Sequence, residues 1–363
     1  MANNKPNPTG EYKVGTLTYS VYGERNIACR VYYPAEKTEG LSKPRYMSPE
    51  LARSLSKVLM FPISYKKIEK GGDNYSECFE NAPAAENKKF PLVVFNHGSG
   101  AYRESNSFMC IDLASHGYVV LCIAHPLLAA VVEHDNGTFE YAMKNLMYKT
   151  YDPYFAGARA LMKFMKAKGT DEELAQQFDQ IQNKYCKFLK SQVPLWVDDT
   201  DRAVEYAREN LSDMIDWDKG IGVTGHSFGG AVAYSICQDK PEYSCGINLD
   251  GMLLGDHEGK TLKRPFMQIN CKANINVSAR AYLDHTEPVY RVLFNDMEHL
   301  GFSDLKYAVP VAKVVGKLPP DVAHENLCRC HLEFFDTYLK GTKKAPVLPD
   351  NDAVEVKILY NKG

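Results

Sequence analysis

Six residues, Gly225-His226-Ser227-Phe228-Gly229-Gly230, constrain this chain more than any other feature. They follow the short apolar run Ile221-Gly222-Val223-Thr224 and precede a helix-like run over residues 231–237. A serine between glycines, where a strand turns sharply into a helix, has its hydroxyl lifted clear of the sheet and backed by the free N–H groups of a helix N-terminus. Ser227 is therefore the candidate nucleophile. The same five-residue pattern also arises as a plain turn, and it is the strand before it and the helix after it that favour chemistry.

The rest of the chain supplies the sheet that such an elbow needs. Residues 90–95, Phe-Pro-Leu-Val-Val-Phe, form a continuous apolar run of the kind buried on both faces. A loop with two glycines follows, Asn96-His97-Gly98-Ser99-Gly100, then a helix to about His116 and a strand over residues 118–124. After the elbow come strand-like runs at 245–249, 266–270 and 290–294, and a long helix over 323–339. This rhythm predicts an α/β fold with a mostly parallel central sheet and helices on both faces. Two alternating segments, 12–22 and 26–33, read as an antiparallel pair at one edge. Ser48-Pro49 caps a helix whose Leu51, Leu55, Val58 and Leu59 share a face, ended by Pro62. Residues 66–89 read as a polar excursion. Residues 126–212 carry helical stretches at 154–168, 171–191 and 198–210 with no clear strand, which predicts a helical insertion before the elbow that roofs the serine. The chain is expected to be one domain, 1–363, with that insertion as its cap.

With 363 residues, 45% hydrophobic and 24% charged, a large core is available. A formal charge of −2 gives no pull toward nucleic acid, and no apolar run approaches a bilayer span. The start, Met1 to Pro8, lacks the apolar core of a secretory signal, although a trimmed chain would look the same. Ten cysteines without metal-type spacing read as buried free thiols of a reducing, cytoplasmic compartment, and Cys328-Arg329-Cys330 is too tight for a zinc knuckle. Sequons at Asn74, Asn136, Asn210 and Asn276 do not settle export. Neither metal nor cofactor is called for, and no obligate protein partner is inferred.

A serine needs a base, and the base an orienting carboxylate; on this fold they follow in the order Ser, Asp or Glu, His. Asp250 directly follows the run 245–249 and is the first choice of acid, with Asp256 and Asp284 as substitutes in less regular surroundings. The order removes His97, His116, His125, His134 and His226. His257 follows Asp250 too closely, His285 precedes the last strand, and His324 and His331 lie on a helix. His299, a short loop beyond residues 290–294, is the base. The oxyanion needs two backbone donors, the N–H of Phe228 after the nucleophile and one from the loop after the first central strand, where Ser99 fits.

Phe95 to Arg103, Asp112-Leu113-Ala114-Ser115-His116-Gly117-Tyr118, the elbow itself and Cys245-Gly246-Ile247-Asn248-Leu249-Asp250 resemble platelet-activating factor acetylhydrolases of the α/β-hydrolase type. Thr9 to Gly15, Val31-Tyr32-Tyr33-Pro34 and the helical insertion are similar too. The resemblance implies a calcium-independent serine esterase removing short or oxidised sn-2 acyl groups from phospholipids, with its triad on Ser227, Asp250 and His299 and its donors on Ser99 and Phe228. Two positions depart from the pattern. Ser99 stands where the family usually has leucine, and His125-Pro126-Leu127 replaces an acidic residue followed by His-Arg-Asp. The family works at lipid surfaces, which implies peripheral membrane contact through residues 51–59 or 307–315, against core packing of the same residues. A general carboxylesterase or polyester hydrolase, or a catalytically silent binding module on the same fold, are the alternatives.

Overall fold

The computed structural model describes residues 5–58, 66, 68, 76–308 and 312–360. Its sheet is built from β1 (Lys13–Val21), β2 (Ile27–Ala35), β3 (Phe79–Glu80), β4 (Leu92–Asn96), β5 (Val119–Ala124), β8 (Ile221–His226), β9 (Tyr243–Leu249), β10 (Phe266–Cys271), β11 (Val289–Phe294) and β12 (Val354–Leu359); a separate hairpin pairs β6 (Val131–Glu133) with β7 (Phe139–Tyr141). The ten-stranded order is β12-β11-β10-β9-β8-β4-β5-β2-β1-β3. The six central strands from β11 to β5 run parallel, whereas β2 runs antiparallel to β5 and β1, and β12 antiparallel to β11.

Seven helices matter to the argument: α1 (Pro49–Val58), α2 (Ser107–Ser115), α3 (Tyr154–Phe164), α4 (Asp171–Tyr185), α5 (Lys187–Asn210), α6 (Phe228–Asp239) and α7 (Pro320–Tyr338). Successive side chains of a strand point to opposite faces, so each central strand feeds two cores. Leu92, Val94, Leu121 and Val223 pack with Trp196 and Ala203 of α5 and with α6 from Ala231 to Cys237. Val93, Phe95, Val120, Ile247 and Ile269 pack on the other side against Met109 and Leu113 of α2 and Leu327, Phe334 and Phe335 of α7. This is why the central strands read as unbroken apolar runs.

Register aligns the carboxyl ends of the strands. Asn96 pairs with Gly225, Gly225 with Asn248, His226 with Leu249 and Leu249 with Ile269. The residues that follow, His97 to Ser99, Ser227 and Asp250, therefore emerge together on one rim, where open α/β sheets bind ligands.

Several features differ from the sequence reading. β12 adds a strand after the last helix; only Val354 of it is buried, so its alternation carries little signal. The hairpin β6–β7 lies inside the insertion, turned at Asn136-Gly137, with three residues on each side and too short to register as strands. One helix, α5, runs through Pro194, whereas the sequence suggested a break there. The missing N–H costs the bond to the Lys190 carbonyl, and burial of Leu189, Val193 and Trp196 on the same face offsets it. The break falls instead at Cys186.

Ser48 does cap α1, its Oγ accepting from the Leu51 N–H at 3.0 Å. Leu51 and Leu55 are buried with Tyr46, Tyr102 and Phe108, so that stripe is a packing face; Tyr307 stacks edge-on to Phe108 and Val315 is buried. Leu59, Pro62, Gly71-Gly72, Asn74 and residues 309–311 lie outside the described residues. All ten cysteines are free and buried. Among the described residues, no helix is long and apolar enough to cross a membrane.

Candidate active site

Ser227 sits between β8 and α6 with φ 55° and ψ −117°, a conformation that costs a non-glycine residue energy and persists only where the surroundings impose it. The glycines explain how it is imposed. A Cβ on Gly225 would stand 2.2 Å from the Gly229 carbonyl oxygen, and one on Gly229 would stand 2.1 Å from the Asn96 carbonyl oxygen. The turn closes against itself and against β4, and only hydrogen fits at either point.

Three side chains meet above this turn. His299 Nε2 lies 2.9 Å from Ser227 Oγ, and His299 Nδ1 lies 2.7 Å from Asp250 Oδ2. Asp250 is buried, and both its oxygens accept further bonds: Oδ1 from the Cys271 N–H at 2.8 Å, Oδ2 from Asn274 Nδ2 at 2.6 Å. Those donors fix the carboxylate in place. The carboxylate in turn pushes the nearby Cys271 thiol further up, adding to the larger effect of burial. The substitutes for the acid lie elsewhere: Asp256 is exposed and ion-paired with Lys190, and Asp284 sits in the turn before β11, on the opposite rim.

Sequence reasoning missed two supports. Asn274 stands in a short helical turn after β10 and touches both Asp250 and His299, the latter at 3.4 Å. His226, which chain order set aside, has its ring tilted against that of His299 at 4.9 Å and lies 3.0 Å through Nε2 from the His299 carbonyl oxygen. A carbonyl only accepts, so Nε2 carries the proton, and burial first and the His299 ring second hold His226 down to about 3. Position x of Gly-x-Ser-x-Gly held the only sequence signal for it. Of the other histidines that follow Asp250 in the chain, His257 bonds Gln238, His285 the Glu287 carbonyl and His331 the Leu327 carbonyl.

Phe228 opens α6, where the first N–H groups have no intrahelical acceptor. Ser99 lies in the loop after β4, next to Gly98, at which a Cβ would stand 3.0 Å from the Ser227 Cβ. Beside them opens a mostly apolar cavity of about 310 Å³, lined by Leu55 and Val58 of α1, Tyr102, Leu300 and Leu305, with Ser99 and His299 at its polar end. Val58 also borders a second cavity of about 520 Å³ against residues 141–148, which is where the insertion reaches this side of the molecule. Among the described residues no group of three or more His, Cys, Asp or Glu is placed to hold a metal ion.

A mixed sheet of this order with a serine at the β8–α6 elbow defines the α/β-hydrolase fold. A solved ferulic acid esterase from Streptomyces cinnamoneus matches it with a TM-score of 0.66 over 96% of this chain and 98% of that one, at 19% identity. The chain belongs to the family described as platelet-activating factor acetylhydrolase, isoform II, whose model matches residues 2–345. The platelet-activating factor acetylhydrolase of the dog, Canis lupus familiaris, is 29% identical over 328 residues, covering 86% of this chain and 70% of the relative. That of cattle, Bos taurus, is 28% identical over 330 residues, and that of the guinea pig, Cavia porcellus, 24% over 356.

Proposed function

We propose that this chain is a serine esterase that hydrolyses the sn-2 ester of phospholipids carrying a short or oxidised acyl chain. The observation that carries this is the Ser227–His299–Asp250 line, with its 2.9 and 2.7 Å contacts, on a member of the acetylhydrolase family. Ser227 Oγ attacks the ester carbonyl while His299 Nε2 takes its proton. Asp250 holds the imidazole in orientation and stabilises its charge, and the N–H groups of Ser99 and Phe228 receive the oxyanion. His299 then protonates the departing lyso-lipid alkoxide, leaving an acyl-enzyme. A water, deprotonated by the same ring, releases the acid. Every step uses side chains and backbone groups of this chain.

The apolar cavity beside Ser99 suits the hydrocarbon of such an ester. The whole chain acts as one domain on this reading, with residues 126–212 as an insertion flanking the site. For the lipid surface we assign the exposed strip Tyr148, Phe155 and Met162, which lies beside Lys149, Arg159 and Lys163, since a basic and aromatic face suits insertion at a phosphate-bearing interface.

The substrate assignment is tested by a panel at fixed enzyme concentration. Acetyl-phospholipid is expected to be cleaved at least ~10-fold faster in kcat/KM than a long-acyl phospholipid, a difference of about 1.4 kcal/mol. Hydrolysis of nitrophenyl esters with no phospholipid turnover would point to a general carboxylesterase, and no turnover of any ester to a silent binding module.

A further inference from the structure

His97 is the first residue after β4 and is fully buried behind the loop that carries Ser99. Its ring makes two hydrogen bonds, Nδ1 to the Gly98 carbonyl oxygen at 2.7 Å and Nε2 with the His125 backbone N–H at 3.2 Å. A carbonyl only accepts and a backbone amide only donates. The proton is therefore on Nδ1 and the lone pair on Nε2.

The Gly98 carbonyl belongs to the same planar peptide unit as the Ser99 N–H, and in a trans peptide the two point in opposite directions. Whatever grips that oxygen therefore aims that N–H. Among the described residues two groups grip it: the Ala101 N–H across a tight turn, at 3.0 Å, and the His97 ring. The turn is closed within the loop itself. His97 is the side chain, among the described residues, that bonds this oxygen directly.

The ring is itself anchored. It packs edge-on to Trp196 at 4.9 Å, and Trp196 stacks on the His125 ring at 3.8 Å and 11°. His125 Nδ1 lies 3.0 Å from Asp199, its Nε2 2.8 Å from Asn96 Oδ1, and Asp199 receives both Arg25 Nε and Nη2, at 2.9 and 2.7 Å. The next residues complete the clamp, the Gly100 N–H donating to Leu128 and the Ala130 N–H to Ala101, each at 2.7 Å. His125-Pro126-Leu127 leads into the segment on which this loop is hung.

We propose that His97 is the positioning residue of the oxyanion site: locked in its Nδ1–H form by the His125 backbone amide, it holds the Gly98–Ser99 peptide plane so that the Ser99 N–H faces the reacting oxygen. This rests on the reading of Ser227 as nucleophile and Ser99 as donor. Burial and the neighbouring His125 ring hold His97 down to about 3, so the device works unchanged across neutral pH.

Two conservative variants separate aiming from support. In His97→Asn the amide nitrogen takes the place of Nδ1 and still donates to Gly98. In His97→Gln the amide oxygen takes the place of Nε2 and still accepts from His125, but Gly98 is released. With a nitrophenyl acetate substrate, His97→Gln should lose about 10²-fold in kcat with KM within about threefold, and His97→Asn should stay within about tenfold of wild type. Equal losses in the two variants, or a loss confined to KM, would overturn the proposal. Independently of any variant, imidazole nitrogen chemical shifts of the wild type should show His97 protonated at Nδ1 from pH 6 to 9; protonation at Nε2 would overturn it as well. Ser227→Ala is run beside them. If it keeps full turnover the nucleophile reading fails, whereas an inactive Ser227→Ala with a fully active His97→Gln removes only the role of His97.

Discussion

Burial holds six imidazole rings, those of His97, His125, His226, His257, His324 and His331, below their ordinary 6.5. His97, His226 and His324 are held to about 3, and His257 and His331 to about 4. In the unfolded chain they would protonate near 6.5. The depressed values therefore contribute stability that is complete above pH 6.5 and is lost as pH falls from there toward 4 and 3. Each ring well inside that window costs on the order of 1.4 kcal/mol per pH unit. Asp304, pushed up to about 6 by burial, acts with the opposite sign, as do Glu133 and Asp201, which burial also raises. The urea midpoint should be level from pH 8 to 7 and fall steeply between 6.5 and 5, before most carboxylates titrate. A midpoint unchanged down to pH 5 would show that these rings protonate in the folded protein.

At the scale of elements, the apolar faces divide into those that pack and those that do not. The stripe of α1 is spent on Tyr46, Tyr102 and Phe108 and on one wall of the cavity, so it is not free to meet lipid. α3 is different: Gly157, Leu161 and Phe164 face inward, while Phe155 is 81% and Met162 60% exposed, with Arg159 between them. Tyr154 links Phe155 to Tyr148 through ring contacts at 5.4 and 5.1 Å, extending the strip beyond the helix. Phe155→Ser should lower co-sedimentation with anionic phosphatidylserine vesicles about fivefold or more, and leave hydrolysis of a soluble nitrophenyl ester at the wild-type rate. Vesicle binding equal to wild type would remove this face as the lipid contact.

For the molecule as a whole, the central sheet was legible because its strands are buried on both faces, so that residues 90–95, 118–124 and 221–224 read as apolar runs at the right intervals. The elbow was legible because close approach at Gly225 and Gly229 leaves no alternative to glycine. Asp250 and His299 could be singled out by chain order and by standing just beyond a strand. What escaped was set by tertiary contact. β12 has one buried side chain, Pro194 lies inside a helix whose packing overrides it, and Asn274 and His226 matter only through what they touch. The cavity owes its wall to α1, some forty residues ahead of the loop it faces, and no local pattern announces that pairing.

The central claim is that Ser227, activated through His299 and Asp250, forms the covalent bond with the acyl group. It is tested most directly by steady-state turnover of acetyl-phospholipid by Ser227→Ala, with peptide mapping of the wild type after a fluorophosphonate probe. The account predicts a loss of ~10⁶ in kcat for the variant and a probe adduct on Ser227 alone. Turnover persisting in Ser227→Ala, with the adduct on another residue, would contradict it.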